Sequence, residues 1–150
     1  MLNRLQGVFA SLHSHNVKYV VIGGMAAILH GVPRATFDVD ILIEATPGNA
    51  SSLLAALREA GFGTADLITA EELLAHEITI FKDRYLIDVQ TKTPGIAFAD
   101  AWARRVEMKV EGQPFWVASR EDVIRSKRAA GRRIDLEDAR LLEAGEADLT

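Results

Sequence analysis

The chain contains no cysteine. That excludes a disulfide framework, thiol catalysis and a thiolate zinc site. Long hydrophobic runs are also missing, and none approaches the roughly 20 apolar residues of a helical membrane span. The opening segment, MLNRLQGVFASLHSHN, lacks the apolar core and cleavage site of a secretory leader, so a cytoplasmic protein with no membrane partner is expected. There is no GxGxxG fingerprint and no P-loop ending in Lys-Ser or Lys-Thr, which removes two common phosphate-binding designs. Repeats and low-complexity tracts are absent too. What remains is an ordinary soluble composition over 150 residues, 49% hydrophobic and 25% charged. A chain of this size buries roughly 70% of its unfolded surface, so one domain spanning residues 1–150 is expected.

Charge is unevenly distributed. Residues 104–133 hold nine Lys and Arg against four Asp and Glu, a local balance of +5 in a chain whose net charge is −4. The remainder therefore carries −9. An acidic region and a basic region in one domain match metal binding by the first and polyphosphate binding by the second, or simply scattered solvated charge.

Apolar spacing predicts an amphipathic helix over 2–15, a buried strand over 18–22, a short helix opened by Gly23-Gly24, and a strand over 37–44. A helix led by Pro47 follows and stops at Gly61. Residues 71–75 read as a short helix. The alternating segments 77–82 and 84–90 read as an antiparallel hairpin. After a helix over 96–103, residues 105–110 and 114–117 read as a second hairpin. Ser119 with Asp122, and Asp135 with Asp138, read as starts of C-terminal helices covering about 119–144. The outcome is a mixed α/β (α+β) chain with a central mixed sheet flanked by helices. Its early β-α-β unit is too short for the crossover of a Rossmann domain.

The segment VVIGGMAAILHGVPRATFDVDILIE concentrates the chemistry. On a strand, residues i and i+2 share a face, so Asp38 and Asp40 project together. Like charges held that close need a cation between them, and a hard divalent metal such as Mg²⁺ is the usual partner of oxygen ligands. Asp88 lies in the apolar strand YLIDVQ, where an acid is costly to bury unless paired or metal-bound. It either joins the other two carboxylates or pairs with a residue such as Arg84. Gly23-Gly24 permits close backbone approach to a ligand at a helix start. Arg34 and Thr36 contact phosphate or brace the loop after Pro33. Lys127 falls on the apolar face of its helix, between Val123 and Ile124, and either reaches a triphosphate or snorkels to solvent. Asp135 and Asp138 read as helix caps. Trp102 and Trp116 read as core residues or the wall of a base pocket.

Ile22-Gly23-Gly24 followed by Asp38-Val39-Asp40-Ile41 resembles the signature of the DNA polymerase β-like nucleotidyltransferase superfamily, with Asp88 matching the third carboxylate. Arg34-x-Thr36-x-Asp38-x-Asp40 and the tail Lys127 to Asp138 are similar to small bacterial members, the AbiEii toxin-type and antibiotic-modifying groups. The resemblance covers about residues 17–144. It implies the nucleotidyltransferase fold and transfer of a nucleoside monophosphate from an NTP to a hydroxyl of a small molecule, RNA or protein, with release of pyrophosphate. In that scheme Asp38, Asp40 and Asp88 hold two Mg²⁺ ions, with Mn²⁺ as a substitute. Gly23, Gly24, Arg34, Thr36 and Lys127 meet the nucleotide, and Asp88 helps to deprotonate the acceptor. A homodimer or a partner subunit would complete the cleft. The alternative is a non-catalytic subunit of a toxin–antitoxin-type pair that keeps the fold.

Overall fold

The four residues Tyr19–Ile22 are buried at every position and form β1, an inner strand of the sheet. The structure is a computed structural model and describes residues 2–148. A 3-10 turn over Leu2–Leu5 leads into α1 (Gln6–Ser14), so the predicted first helix begins with a tighter turn. Directly after β1 come α2 (Gly23–Leu29) and β2 (Asp38–Ile43). α3 (Pro47–Glu59) has Pro47 in its first turn, and the Thr46 side chain accepts the Asn49 N–H as its cap. Beyond it, α4 (Ala70–Leu74) carries a reciprocal capping box between Thr69 and Glu72. The hairpin strands β3 (Ile78–Lys82) and β4 (Leu86–Gln90) precede α5 (Phe98–Ala103). β5 (Val106–Val110) and β6 (Gln113–Val117) form the second hairpin, and α6 (Arg120–Ala130) and α7 (Arg133–Asp148) close the chain.

Together the strands make one mixed six-stranded sheet in the order β3-β4-β2-β1-β6-β5, flanked by helices. β1 runs antiparallel to β2, and β2 runs parallel to β4. This register sets Ile22 opposite Asp40 and Asp40 opposite Asp88. β3 pairs antiparallel with β4 and places Ile80 opposite Asp88 and Ile78 opposite Gln90. Because paired residues share a face and successive residues change face, Asp38, Asp40, Asp88, Gln90, Ile22 and Ile78 all lie on one side. The other side carries Val39, Ile41, Ile87 and Val89, each at most 2% exposed. α1 packs against β6 and α3, and its Phe9 ring stacks on Phe115 at 4.4 Å between centroids.

β3 is an edge strand, and on the carboxylate-bearing face its Ile78 and Ile80 are 54% and 60% exposed. α6 and α7 pack on each other, and α2 contacts α6. Two helix starts and one turn are among the differences from the sequence reading. α5 starts at Phe98 because residues 93–96 form a tight turn, bridged from Thr93 to Ile96, with Gly95 at φ +80°. α7 starts two residues before Asp135. A 3-10 turn over Gly63–Leu67 has no counterpart in the apolar spacing.

Candidate active site

The carboxylates of Asp38, Asp40 and Asp88 converge, with one oxygen from each lying within 4.8 Å of the others. Asp38 and Asp40 come from alternate positions of β2, and Asp88 from the neighbouring position on β4. Burial pushes the Asp40 carboxyl up to about 8, helped by a hydrogen bond with Asp88 and the charges of Asp38 and Asp88, and opposed by Lys127. Asp88 is raised as well, again first by burial. Its Oδ1 atom is buried without a hydrogen-bond partner. A proton shared with Asp40 relieves this arrangement, and so would a cation. No Arg84–Asp88 ion pair occurs among the described residues; the nearby basic side chains serve other partners.

The glycine corner is shaped by these acids. Gly23 has φ +67°, and a Cβ built on it would lie 2.2 Å from Oδ2 of Asp40. Only glycine allows both the backbone conformation and the approach of the carboxylate. A Cβ on Gly24 would stand 3.0 Å from Nη2 of Arg34 and 3.4 Å from Oγ1 of Thr36. Thr36 donates its hydroxyl proton to Oδ1 of Asp38 at 2.9 Å and so fixes that carboxylate. Arg34 donates from Nε and Nη2 to the two oxygens of Asp138, at 3.0 and 2.8 Å. In the described structure it braces the loop before β2 against α7.

Lys127 is buried, as its helical position predicts, yet it does not snorkel. Its ammonium lies 3.3 Å from Asp135 and 2.9 Å from Asp138, both of which are 1% exposed. Asp135 also receives Nε of Arg132 at 2.7 Å and its Nη2 at 3.2 Å. The backbone N–H of Arg132 donates to Asp135 as well, at 3.3 Å, but Asp135 does so from the third position of α7 and Asp138 lies inside the helix, so neither is the helix-opening cap that the sequence predicts. Burial alone would raise Asp135 and Asp138. Hydrogen bonds from Arg132 and Lys127 to the first, and from Arg34 and Lys127 to the second, outweigh burial and hold both below the usual carboxylate value. The result is an alternating chain of cations and carboxylates, Arg34–Asp138–Lys127–Asp135–Arg132.

These two clusters share one cleft of about 400 Å³, lined by Asp38, Asp40 and Asp88 and also by Lys127, Arg132 and Asp135. The charge asymmetry of the sequence therefore takes a specific form, because acidic and basic groups line a common cavity. Arg132 was not singled out from the sequence. Its signal was present as a basic residue three positions before a buried aspartate. Trp102 and Trp116 do not line the cleft; they pack around the Arg105 guanidinium, at 3.8 and 4.7 Å from their ring centroids. Oxygen donors alone, gathered around an unsatisfied buried carboxylate oxygen, fit a hard divalent cation, and cations in the same cleft fit a phosphate chain.

Comparison with known proteins agrees in class. The family described as "Nucleotidyltransferase of unknown function (DUF6036)" matches residues 2–143. The fold is similar to the crystal structure of an antigenic nucleotidyltransferase-like protein from Paracoccidioides brasiliensis, with a TM-score of 0.59 at 20% identity, over 92% of this chain and 72% of that one. No curated protein matches the chain. Among the described residues, no helix is long and apolar enough to cross a membrane.

Proposed function

Because the chain belongs to this nucleotidyltransferase family, we propose that it moves a nucleoside monophosphate from an NTP to a hydroxyl group and releases pyrophosphate. The observation that carries this reading is the meeting of Asp38, Asp40 and Asp88 in a cleft that Lys127 and Arg132 also line. Asp38, Asp40 and Asp88 would hold the divalent ions, Mg²⁺ or in its place Mn²⁺. When bound, such ions neutralise the carboxylates and stabilise charge on the transferring phosphoryl group and the leaving pyrophosphate.

The chain's own residues supply the remainder. Thr36 orients Asp38, and the space over Gly23 seats Asp40. Lys127 and Arg132 receive the outer phosphates, with Arg34 and the backbone of Gly23-Gly24 on the same nucleotide side. Asp88, nearest the open edge of the sheet, accepts the proton of the hydroxyl. The acceptor oxygen then bonds to the α-phosphorus as the α–β phosphoanhydride bond breaks. Electrostatic positioning does most of the work in phosphoryl transfer, which suits a site made of fixed charges.

The acceptor, a small molecule, RNA or protein, approaches from the β3 side, where Ile80 is exposed opposite Asp88. The same exposed strip favours completion of the cleft by a second copy or a partner subunit. Assignment to the AbiEii-type or antibiotic-modifying branch rests on Arg34-x-Thr36-x-Asp38 and the Lys127–Asp138 tail. A non-catalytic subunit of a toxin–antitoxin-type pair has less support, since all three carboxylates are retained and converge.

The test is transfer of α-phosphate label from each NTP into cell extract, with and without Mg²⁺. Label should move only with metal, and Asp38→Ala or Asp40→Ala should abolish transfer while the circular dichroism spectrum stays native. Full transfer by both variants would remove the assignment.

A further inference from the structure

The cleft is chemically divided, and only one part of it is used by the reading above. Lys127, Arg132, Asp135 and the three carboxylates are the charged part of its lining. The uncharged end is the part that follows Asp88 along β4 into the 93–96 turn, which seats on α6. It is lined by Gln90, Thr93 and Ser126 together with the apolar Ile78, Pro94 and Ile96. Gln90, Thr93 and Ser126 are half-buried, and their side chains join none of the hydrogen bonds made among the described residues. Three polar side chains gathered at one part of the cleft and lacking protein partners are what a hydrogen-bonding ligand needs.

This end is also held in place. Gly95, at φ +80°, turns the 93–96 segment so tightly onto α6 that an added Cβ would lie 2.8 Å from the Arg125 carbonyl oxygen and 2.7 Å from the Ala129 methyl. Thr93 and Pro94 are thereby fixed over the cavity by backbone contact, which reduces the ordering cost of binding. Gln90 follows Asp88 by two residues on the same face of β4, so it stands next along the strand from the reacting centre.

We propose that this uncharged end is the nucleobase subsite and that the Gln90 amide, with Thr93 and Ser126, reads the edge of the base. The inference rests on the nucleotidyltransferase reading and deepens it. An NTP is a linear ligand with charge at one end and a flat, neutral, hydrogen-bonding ring at the other. With its outer phosphates on Lys127 and Arg132 and its α-phosphate at the carboxylates, the ring falls toward Gln90 and Thr93. Pro94, Ile96 and Ile78 supply flat apolar surface for its faces. A carboxamide carries one donor and one acceptor side by side, the arrangement that distinguishes base edges.

The experiment is calorimetry on the full chain with Mg²⁺, using the four α,β-methylene NTP analogues and inorganic tripolyphosphate. Wild type should bind at least one analogue about tenfold more tightly than tripolyphosphate and rank the four bases unequally. Gln90→Ala should weaken the preferred analogue roughly 3- to 10-fold and flatten the ranking, leaving tripolyphosphate within about twofold. Thr93→Val, on the loop, should act in the same direction and replaces Gln90→Ala if that variant fails to fold. Equal wild-type affinity for all four analogues and tripolyphosphate would overturn the base subsite while leaving nucleotide binding intact. Equal weakening of tripolyphosphate by both variants would overturn it too, by showing a structural role. Failure of every phosphate compound to bind would instead overturn the nucleotidyltransferase reading beneath it.

Discussion

Gly23 is the residue at which backbone and chemistry meet most closely. Alanine there must adopt a left-handed conformation and place a methyl group against the Asp40 carboxylate, 2.2 Å from Oδ2. Gly23→Ala should therefore lower stability by about 1–3 kcal/mol and abolish transfer, measured by urea unfolding and label transfer. Gly7→Ala is the control, since an exposed position in α1 with nothing within 4 Å of the added Cβ should be neutral or stabilising by up to about 1 kcal/mol. Asp40 adds a pH dependence at the same scale. Its carboxyl is raised to about 8, so without metal the folded state holds a proton there that the unfolded chain has lost above its ordinary value of 3.8. Metal-free stability from this group thus declines as pH rises toward and through 8. Divalent metal must displace that proton. The gain in melting temperature on adding Mg²⁺ should be larger at pH 9 than at pH 6.5, and Asp40→Asn should remove the difference.

Among elements, the α6–α7 turn carries the prediction. Asp135 and Asp138 on α7 hold Lys127 of α6, Arg132 of the turn and Arg34 of the loop before β2, so this cluster ties three parts of the chain together. Their folded pKa values lie below the ordinary 3.8. The stabilisation they give is present above the ordinary carboxylate range and is lost as pH falls through the depressed folded values. Acid unfolding should begin below about pH 4. Asp138→Asn should weaken both the stability at neutral pH and its acid dependence, followed by ellipticity against pH. Much of this architecture was legible beforehand. Alternation gave both hairpins, and the i, i+2 spacing gave the shared face of Asp38 and Asp40. Local patterns say nothing about which distant strands pair, so the parallel β1–β6 and β2–β4 contacts could be learned only from the fold. For the same reason, a buried lysine looked like a choice between phosphate and solvent. Its actual partners sit eight and eleven residues further on, across a turn at Gly131.

On the scale of the whole molecule, Asp38, Asp40 and Asp88 come from the first two-thirds of the chain, and both cations that line the cleft, Lys127 and Arg132, come from the last third. Neither set alone makes the proposed nucleotide site, and the packing of α2 on α6 joins them. Lys127→Met with Arg132→Gln should therefore separate the two halves of the function. Metal-induced thermal stabilisation should persist, whereas NTP affinity should fall at least about tenfold as two charge-assisted contacts are lost. Loss of both signals together would mean that the C-terminal helices shape the metal site as well.

The bare rim of β3 has a practical consequence for anyone handling this protein. Unpaired backbone groups bordered by isoleucines form a template onto which a stray extended segment can zip, and concentrated or warmed samples should begin to associate there. A lysine in place of Ile80 would act as a gatekeeper, delaying the onset of light scattering on heating.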